Sequence, residues 1–239
     1  MKRIFLLLPI VLSITVGIPG CSLPFSISGN GILVSESRSV SDFGAISIGG
    51  SGHAVITQGD SESLEIQADE NLLPYIHSVV HHGELRIWLE RGNLRFTKRP
   101  VYTLSVRELD HLQLSGALNA EIAALKTDRF KGGVSGSGSV RFGDLEADSV
   151  EFDISGSGKL IVDNGTAESL RLGVSGSGDL NTSNCRAENV EISISGSGSA
   201  QVWATDSLSA HVSGSGQIDY KGSPQVSSSI SGSGRIGQL

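Results

Sequence analysis

Hydrophobic and polar residues alternate along the second half of the chain. Between residues 150 and 162, the apolar side chains fall on one parity and mostly polar side chains on the other. This period of two predicts β-strands with one buried face, and no helical period competes with it. The apolar positions of the same parity are Val150, Phe152, Ile154, Leu160, Val162, Leu170, Leu172, Val174, Leu180, Val190, Ile192, Ile194, Val212, Ile218, Tyr220, Val226, Ile230 and Ile236.

A Ser-Gly-Ser-Gly unit recurs between these strands, each time directly after Val or Ile. Successive units are 20, 20, 20, 18 and 18 residues apart, and a fixed period of this length is typical of repeat architectures. Because every interval is even, each repeat can keep the same face inward. We therefore predict a parallel, single-stranded β-helix, a β-solenoid of about 20 residues per coil. The units begin at Ser135, Ser155, Ser175, Ser195, Ser213 and Ser231, and a degenerate copy begins at Ser115.

The composition of the unit suggests a tight corner. If the alternation continues through it, both glycines face inward, where a narrow bend leaves no room for a side chain, and both serines face outward. The serines of successive coils then form a column along one edge. The two-residue difference in period falls in a loop opposite the corner, for which residues 163–165 are one version.

The pattern also occurs once near the N-terminus. Residues 46–56 align with a later unit and its flanks, so the solenoid is expected to begin near Phe43. Between residues 69 and 114 the pattern is irregular, with strands predicted at 84–89 and 101–106, a loop at 92–100 and a short helical turn around Pro74. We predict one domain, residues 35–239, with irregular coils over 35–114 and regular coils over 115–239.

The first twenty residues have the pattern of an export signal. Lys2 and Arg3 precede an apolar run at residues 4–18, which is too short for a comfortable membrane span. Gly20-Cys21 follows, as in a bacterial lipoprotein signal whose cysteine is lipidated. Pro19 departs from that pattern, and an ordinary cleaved signal is the alternative. We predict a signal peptide at 1–20, lipidation at Cys21 and a tether at 21–34.

Charge and cysteine content narrow the classes of partner. Without the signal, 16 basic and 25 acidic residues give a net charge of −9, and no basic stripe remains that would suit nucleic acid. After Cys21 only Cys185 is left, so no internal disulfide can form. We interpret Cys185 as a small buried filler rather than a reactive thiol.

Residues 42–76, DFGAISIGGSGHAVITQGDSESLEIQADENLLPYI, followed by the Ser-Gly units, resemble a bacterial family described as putative auto-transporter adhesins with a head GIN domain. The segment from Ala68 to Ile76 carries the most specific part of the resemblance. The resemblance implies a pectin-lyase-like β-helix on exported or lipid-anchored proteins, an adhesive role and no catalytic residues to carry over.

Candidate chemistry is sparse. Neither the column after the units (Ser139, Lys159, Asp179, Ser199, Gln217, Arg235) nor the one two residues before them (Asp153, Gly173, Ser193, His211, Ser229) concentrates acids. Glu151, Arg171 and Glu191 are expected to form a surface ion-pair ladder. His77, His81 and His82 lack the partners of a usual metal site, the units lack the aspartate of calcium-binding coils, and no cofactor is predicted. Trp203 is a candidate for stacking on a sugar, although packing over a coil end is the commoner role.

Three functions stay open at this point. The favoured hypothesis is a non-enzymatic envelope lipoprotein, an adhesin-like or scaffold module that binds an envelope polysaccharide or protein. The alternatives are a carbohydrate-active β-helix enzyme and a structural accessory of envelope stress. Ser22 after the lipid cysteine favours the outer membrane if the host is Gram-negative. End-to-end self-association through an exposed last coil is a further expectation.

Overall fold

The computed structural model describes residues 26–239, which are almost entirely β-strand. The predicted signal at 1–20 and Cys21 lie outside the described residues. Within 26–239 no helix has the length and apolar character needed to cross a bilayer. The C-terminal strands are β9 (His111–Gly136), β10 (Ser139–Gly156), β11 (Lys159–Val162), β12 (Gly165–Gly176), β13 (Asp179–Gly196), β14 (Ser199–Gly214), β15 (Gln217–Lys221), β16 (Gln225–Gly232) and β17 (Arg235–Gln238).

These strands form stacked coils in parallel register. Val140 pairs with Leu160, which pairs with Leu180, so each residue lies over the one 20 positions earlier. This confirms the predicted parallel β-solenoid. Pairing between β9 and β10 skips residues 143 and 148 and stops after 156, which divides each coil into three faces. We call them the first face (139–142 and its repeats), the short face (144–147) and the long face (149–156).

The Ser-Gly-Ser-Gly units are aligned corners, as predicted. Gly156 has a φ of 119°, a conformation that L side chains rarely adopt. A Cβ atom built on it would lie 2.6 Å from the carbonyl oxygen of Gly136 in the preceding coil. That same oxygen accepts a hydrogen bond from the Ser157 amide at 2.8 Å. The coils therefore approach each other through bare backbone, and Ser155 and Ser157 remain exposed.

The second glycine of each unit explains why Val or Ile always precedes the unit. Gly158 is buried, and a Cβ atom built on it would lie 2.6 Å from Cγ1 of Val134. Gly178 has the same relation to Cγ2 of Ile154, also at 2.6 Å. From Gly158 onward, the branched side chain that precedes the previous unit thus fills the space above the second glycine.

The shorter period is absorbed where the sequence predicted it. Between β13 and β14 the register shifts twice, between Thr182 and Arg186 and between Ala187 and Asn189. The corner itself keeps its register, because Ser195 still pairs with Ser213 and Gly196 with Gly214.

The N-terminal part contains eight strands and one short 3₁₀ helix. The predicted strands at 84–89 and 101–106 are confirmed, and the predicted turn at Pro74 is the 3₁₀ helix Leu73–Tyr75. The strands are β1 (Ser26–Ser28), β2 (Leu33–Arg38), β3 (Ala45–Gln58), β4 (Ser63–Asp69), β5 (Ile76–His81), β6 (Glu84–Leu89), β7 (Asn93–Arg95) and β8 (Val101–Val106).

The upstream copy of the pattern stacks directly on the first regular coil. Strand β3 pairs with β9, with Gly50 opposite Gly116, although 66 residues separate them. The intervening chain and residues 26–44 form what we call the N-terminal cap (26–44 and 59–110). Strands β6 and β8 extend the coil on the other edge of β3.

Antiparallel pairing in the cap was not predicted. Strand β4 pairs antiparallel with β2 and β8, and β5 with β6. The β5–β6 turn has His82 and Gly83 at φ values of 51° and 77°, the conformation of a tight hairpin. His-Gly lacks the Asn-Gly signature by which such turns are recognised in sequence, which is why the hairpin was missed.

The segment from Ala68 to Ile76, which carried the family resemblance, holds the first described residues in place through hydrogen bonds. Asp69 has no exposed surface, and its carboxylate accepts hydrogen bonds from the Gly31 amide and from the amide and hydroxyl of Thr97. Asn71 accepts from the Asn30 amide and donates to the Ser28 carbonyl, each at 2.9 Å. Residues 26–34, part of the predicted tether, are therefore held against the rest of the cap.

Candidate functional site

The outward surface of the long face has four columns of side chains. One contains Arg129, Ser149, Ser169, Asn189 and Ser207, and the other three lie nearer the Ser-Gly-Ser-Gly corner. Each column runs along the axis of the solenoid, because the register repeats every coil. The charged column is Lys131, Glu151, Arg171 and Glu191; the middle column is Gly133, Asp153, Gly173, Ser193 and His211; and the serine column is Ser135, Ser155, Ser175, Ser195 and Ser213.

The charged column contains two separate ion pairs rather than the continuous ladder predicted. Glu151 pairs with Lys131, so only the Arg171–Glu191 pair was expected. Nζ of Lys131 lies 2.7 Å from the Glu151 carboxylate, and Arg171 lies 2.9 Å from that of Glu191. The hydrogen bond from Lys131, helped by the charges of Lys131 and Arg171, lowers the pKa of Glu151. These pairs are exposed, so they contribute little to stability, but they fix a row of alternating charge at one edge of the face.

The middle column from Gly133 to Ser193 lies in a shallow groove that is lined by five successive coils. Gly133 and Gly173 contribute no side chain, so Asp153 between them stands in a trough of about 350 Å³. A Cβ atom at Gly133 would lie 2.6 Å from Oε1 of Gln113, and one at Gly173 would collide with the Asp153 carboxylate. The two glycines therefore give the groove its depth and leave room for Asp153.

The groove suits an extended polar ligand rather than a compact one. The serine column lines one side of it, Lys131 is the one residue of the charged column that reaches it, and its floor is backbone and small residues from successive coils. Hydroxyl, carboxylate and cationic groups line its length, so a chain lying along the axis would meet hydrogen-bonding groups in every coil.

The first face has a second polar row, in the register that the sequence predicted for the column after the units. Asp179 lies 2.9 Å from Nζ of Lys159 and accepts a 2.7 Å hydrogen bond from Ser199. The hydrogen bonds from Ser199 and Lys159 lower the pKa of Asp179. Its side chains are tied to one another across coils, which makes this row less available to a ligand than the middle column.

A column of acids escaped the sequence analysis. Four exposed carboxylates recur every 20 residues at the corner between the short and long faces, beside a groove of about 290 Å³. The 20-residue spacing of these acids is a signal visible in the sequence, but it lies outside the two columns beside the units. Among residues 26–239 no group of three or more His, Cys, Asp or Glu side chains is placed to hold a metal ion. The column is Asp128, Asp148, Glu168 and Glu188.

The predicted histidine group is divided. The rings of His81 and His82 are 3.9 Å apart at the hairpin turn, whereas His77 stacks on Trp88 and lies 3.3 Å from the Glu90 carboxylate.

Trp203 and Cys185 both lie in the corner where the period changes. The half-buried Trp203 ring has Nζ of Lys221 4.7 Å from its centroid, so a sugar would have to share or displace this contact. Cys185 is completely buried, and burial, assisted by the charge of Asp144, raises the pKa of its thiol to about 11.

Comparison with known proteins identifies the fold among solved structures. A structure described as a putative adhesin from Bacteroides fragilis is 27% identical, with a TM-score of 0.83, and the match covers 90% of this chain and all of that one. A putative lipid binding protein from Parabacteroides distasonis is 30% identical over the same shares, with a TM-score of 0.74. A putative adhesin from Parabacteroides merdae is 26% identical over 90% of this chain and 99% of that one, with a TM-score of 0.72.

No functionally curated protein matches the chain in sequence. The sequence model of one family does match, over residues 42–224, which include most of the cap and all coils but the last. A family described as adhesins indicates an exported or surface protein. The resemblance first noted in residues 42–76 is confirmed, and the chain belongs to the family of putative auto-transporter adhesins with a head GIN domain.

Proposed function

We propose that the protein is a non-enzymatic, adhesin-like module of the cell envelope that binds an extended polar polymer along its long face. The observation that carries this proposal is the open groove of the middle column, which runs along the serine column across five successive coils. Relatives described as adhesins support a binding role.

The proposed ligand is an envelope polysaccharide. The exposed positions of the long face are hydroxyls, backbone and ionic groups, whereas a protein ligand would usually require a more apolar, aromatic contact surface. A repeating glycan chain would meet a similar set of groups at each coil and could gain affinity from many weak contacts.

We further propose that the protein is lipidated at Cys21 and, in a Gram-negative host, resides at the outer membrane. The Gly20-Cys21 junction and Ser22 support this. Mass spectrometry of the membrane fraction tests it: a lipid-modified N-terminal peptide beginning at Cys21 is expected, and an unmodified N-terminus would contradict it.

The binding proposal is tested with the chain from Ser22 onward on a glycan array and in a pull-down from envelope extract. Ser193→Arg places a long cation in the middle of the groove at an exposed position, and we expect it to weaken glycan capture at least ~10-fold. The control is Ser199→Arg, the same exchange at an exposed position of the first face, which should bind as the parent does.

Two results would contradict the proposal. One is capture of glycan by Ser193→Arg as strong as by Ser199→Arg, which would remove the groove from the binding surface. The other is turnover of an acidic polysaccharide that is abolished by Asp148→Asn, which would favour the carbohydrate-active enzyme and give the acidic column a catalytic role.

A further inference from the structure

The large apolar side chains that are exposed lie at the two ends of the solenoid. Among the described residues they are Val226, Ile230 and Leu239 in the last coil and three in the N-terminal cap. Those in the cap are Ile32, Val79 and Trp88, with exposed fractions of 56%, 44% and 42%. Val79 and Trp88 are on the β5–β6 hairpin, so an indole and an aliphatic side chain face solvent on one small element.

The chain that follows this hairpin is strongly basic. Residues 91–99 contain four basic side chains and no acidic one, in a protein whose net charge is negative. All four are exposed, and none has an ion-pair partner within residues 26–239. The two acids nearest in sequence are engaged elsewhere, Glu84 with Arg86 and Glu90 with His77. The four basic residues, which we call the basic segment, are Arg91, Arg95, Lys98 and Arg99.

Most of the cations on the coils are neutralised. Five of them, Lys126, Lys131, Arg141, Lys159 and Arg171, pair with an acid, whereas Arg129, Arg186 and Arg235, which have no ion-pair partner in the described part of the chain, are far apart in sequence. The basic segment is therefore a concentration of unneutralised positive charge beside exposed apolar groups.

The basic segment lies where the N-terminal peptide enters the fold. Strand β1 pairs with β7, placing Ser28 opposite Arg95 and Ile27 opposite Leu94. Only five peptide units separate Cys21 from Ser26, and they can span at most about 18 Å. A lipid on Cys21 would therefore hold this end of the rod close to the bilayer surface.

We propose that the N-terminal cap docks on an anionic phospholipid surface, with the basic segment on the phosphates and Trp88 at the headgroup level. Basic residues next to a membrane gain attraction to anionic headgroups, and the indole ring favours the membrane interface. The orientation of the cap rests on the proposed lipid anchor, but the contact itself does not. In this arrangement the rod stands on its cap and the long face projects away from the membrane for its ligand.

The test uses the unlipidated chain beginning at Ser22, which retains every described residue, so that any binding is due to the protein surface. Co-sedimentation is measured with vesicles of phosphatidylcholine alone and of phosphatidylcholine mixed with phosphatidylglycerol. We expect binding only to the mixed vesicles, and weaker binding as salt is raised. In a Trp203→Phe background, the fluorescence of Trp88 should shift to shorter wavelength on binding.

Two matched variants distinguish the effect of the basic segment on vesicle binding from the effect of net charge. Changing all four of its residues to Gln should reduce vesicle affinity at least ~10-fold, since each basic residue near the surface contributes about fivefold. The control changes four exposed coil cations, Lys126, Arg141, Lys159 and Arg171, to Gln and has the same net charge. It should retain vesicle binding. Trp88→Ala should weaken binding without altering its salt dependence.

Three outcomes would overturn the proposal: equal binding to both kinds of vesicle, equal loss in the two four-residue variants, or displacement of the protein from vesicles by short duplex DNA at equal phosphate concentration. Loss of vesicle binding with unchanged thermal unfolding is expected for the basic-segment variant, because those exposed side chains form no ion pair within residues 26–239. Failure of lipidation at Cys21 would appear only in the mass of the cellular protein, so the two proposals fail independently.

Discussion

At the residue scale, the fold depends on positions where a side chain is absent. The first glycine of each unit has a positive φ and lies against the backbone of the preceding coil, and from Gly158 onward the second lies under a Val or Ile side chain. The serines between them face solvent. The corner could be predicted from the sequence because inward positions alternate with outward ones. The contact between Val134 and Gly158 could not, because it joins positions 24 apart and is seen only in the tertiary structure.

Gly156→Ala should destabilise the solenoid far more than Ser155→Ala. The alanine Cβ would meet the Gly136 carbonyl oxygen in a conformation that is strained for any L residue, at a cost of about 2 kcal/mol or more. Ser155 is exposed, so its change should stay within about 0.5 kcal/mol. Free energies of unfolding from urea titration measure the difference, and equal values would refute the role assigned to the corner.

Cys185 should be inert in the native protein. Its thiol is buried and its pKa is raised to about 11, so the reactive thiolate is scarce at neutral pH. We expect labelling by a thiol reagent to proceed only on unfolding, and at a rate that follows urea concentration. Rapid labelling in native buffer at pH 7 would contradict the interpretation of Cys185 as a filler.

At the scale of elements, the cap and the coils are built by different rules. In the coils each strand is parallel to its predecessor and its register follows from the period. In the cap, β4 reverses direction between β2 and β8, and polar side chains such as Asp69 and Asn71 hold the segments together. Such contacts between distant, non-repeating positions leave no periodic signal, which is why strands β6 and β8 were predicted but their pairing was not.

The stability of the cap should decrease in acid through Asp69. Burial alone would raise the pKa of Asp69, but the hydrogen bonds from Thr97 and Gly31 outweigh it and lower the pKa below its ordinary value of 3.8. The stabilisation is thus fully present above that value and is lost as the pH falls through the lower, folded-state pKa. We expect hydrogen exchange at the amides of Gly31 and Thr97 to accelerate in that range.

Asp69→Asn provides the comparison. An amide accepts fewer hydrogen bonds than a carboxylate, so the variant should be less stable by about 1 to 3 kcal/mol at neutral pH and should lose this acid dependence. Persistence of the same pH dependence in the variant would assign the effect to another group.

At the scale of the whole molecule, burial depends on position along the stack. Ile194 in an inner coil is 1% exposed, whereas Ile230, its equivalent in the last described coil, is 45% exposed. The outer edge of β16 has no strand partner among residues 26–239, and self-association through this edge stays a prediction. Concentration-dependent mass in solution that is abolished by Ile230→Lys would support it.

The same two residues, Ile194 and Ile230, test how much an inner coil and the last coil each contribute to the stability of the core. Ile194→Ala should cost about 2 to 5 kcal/mol, because it leaves a cavity between two neighbouring coils. Ile230→Ala should cost less than about 1 kcal/mol, because that side chain is already half in water. Equal losses would mean that the last coil is covered in solution, which links this measurement to the self-association test.

The sequence by itself determined the parallel solenoid, the glycine corners and the even register, because each is repeated and a period of 18 or 20 residues shows it directly. Only the tertiary structure decided which columns form a groove, where the acidic column stands, how the cap reverses its strands and that the basic segment has no described partner. Those features depend on which non-repeating residues meet in space and on which surfaces remain uncovered, and neither is encoded in a local pattern.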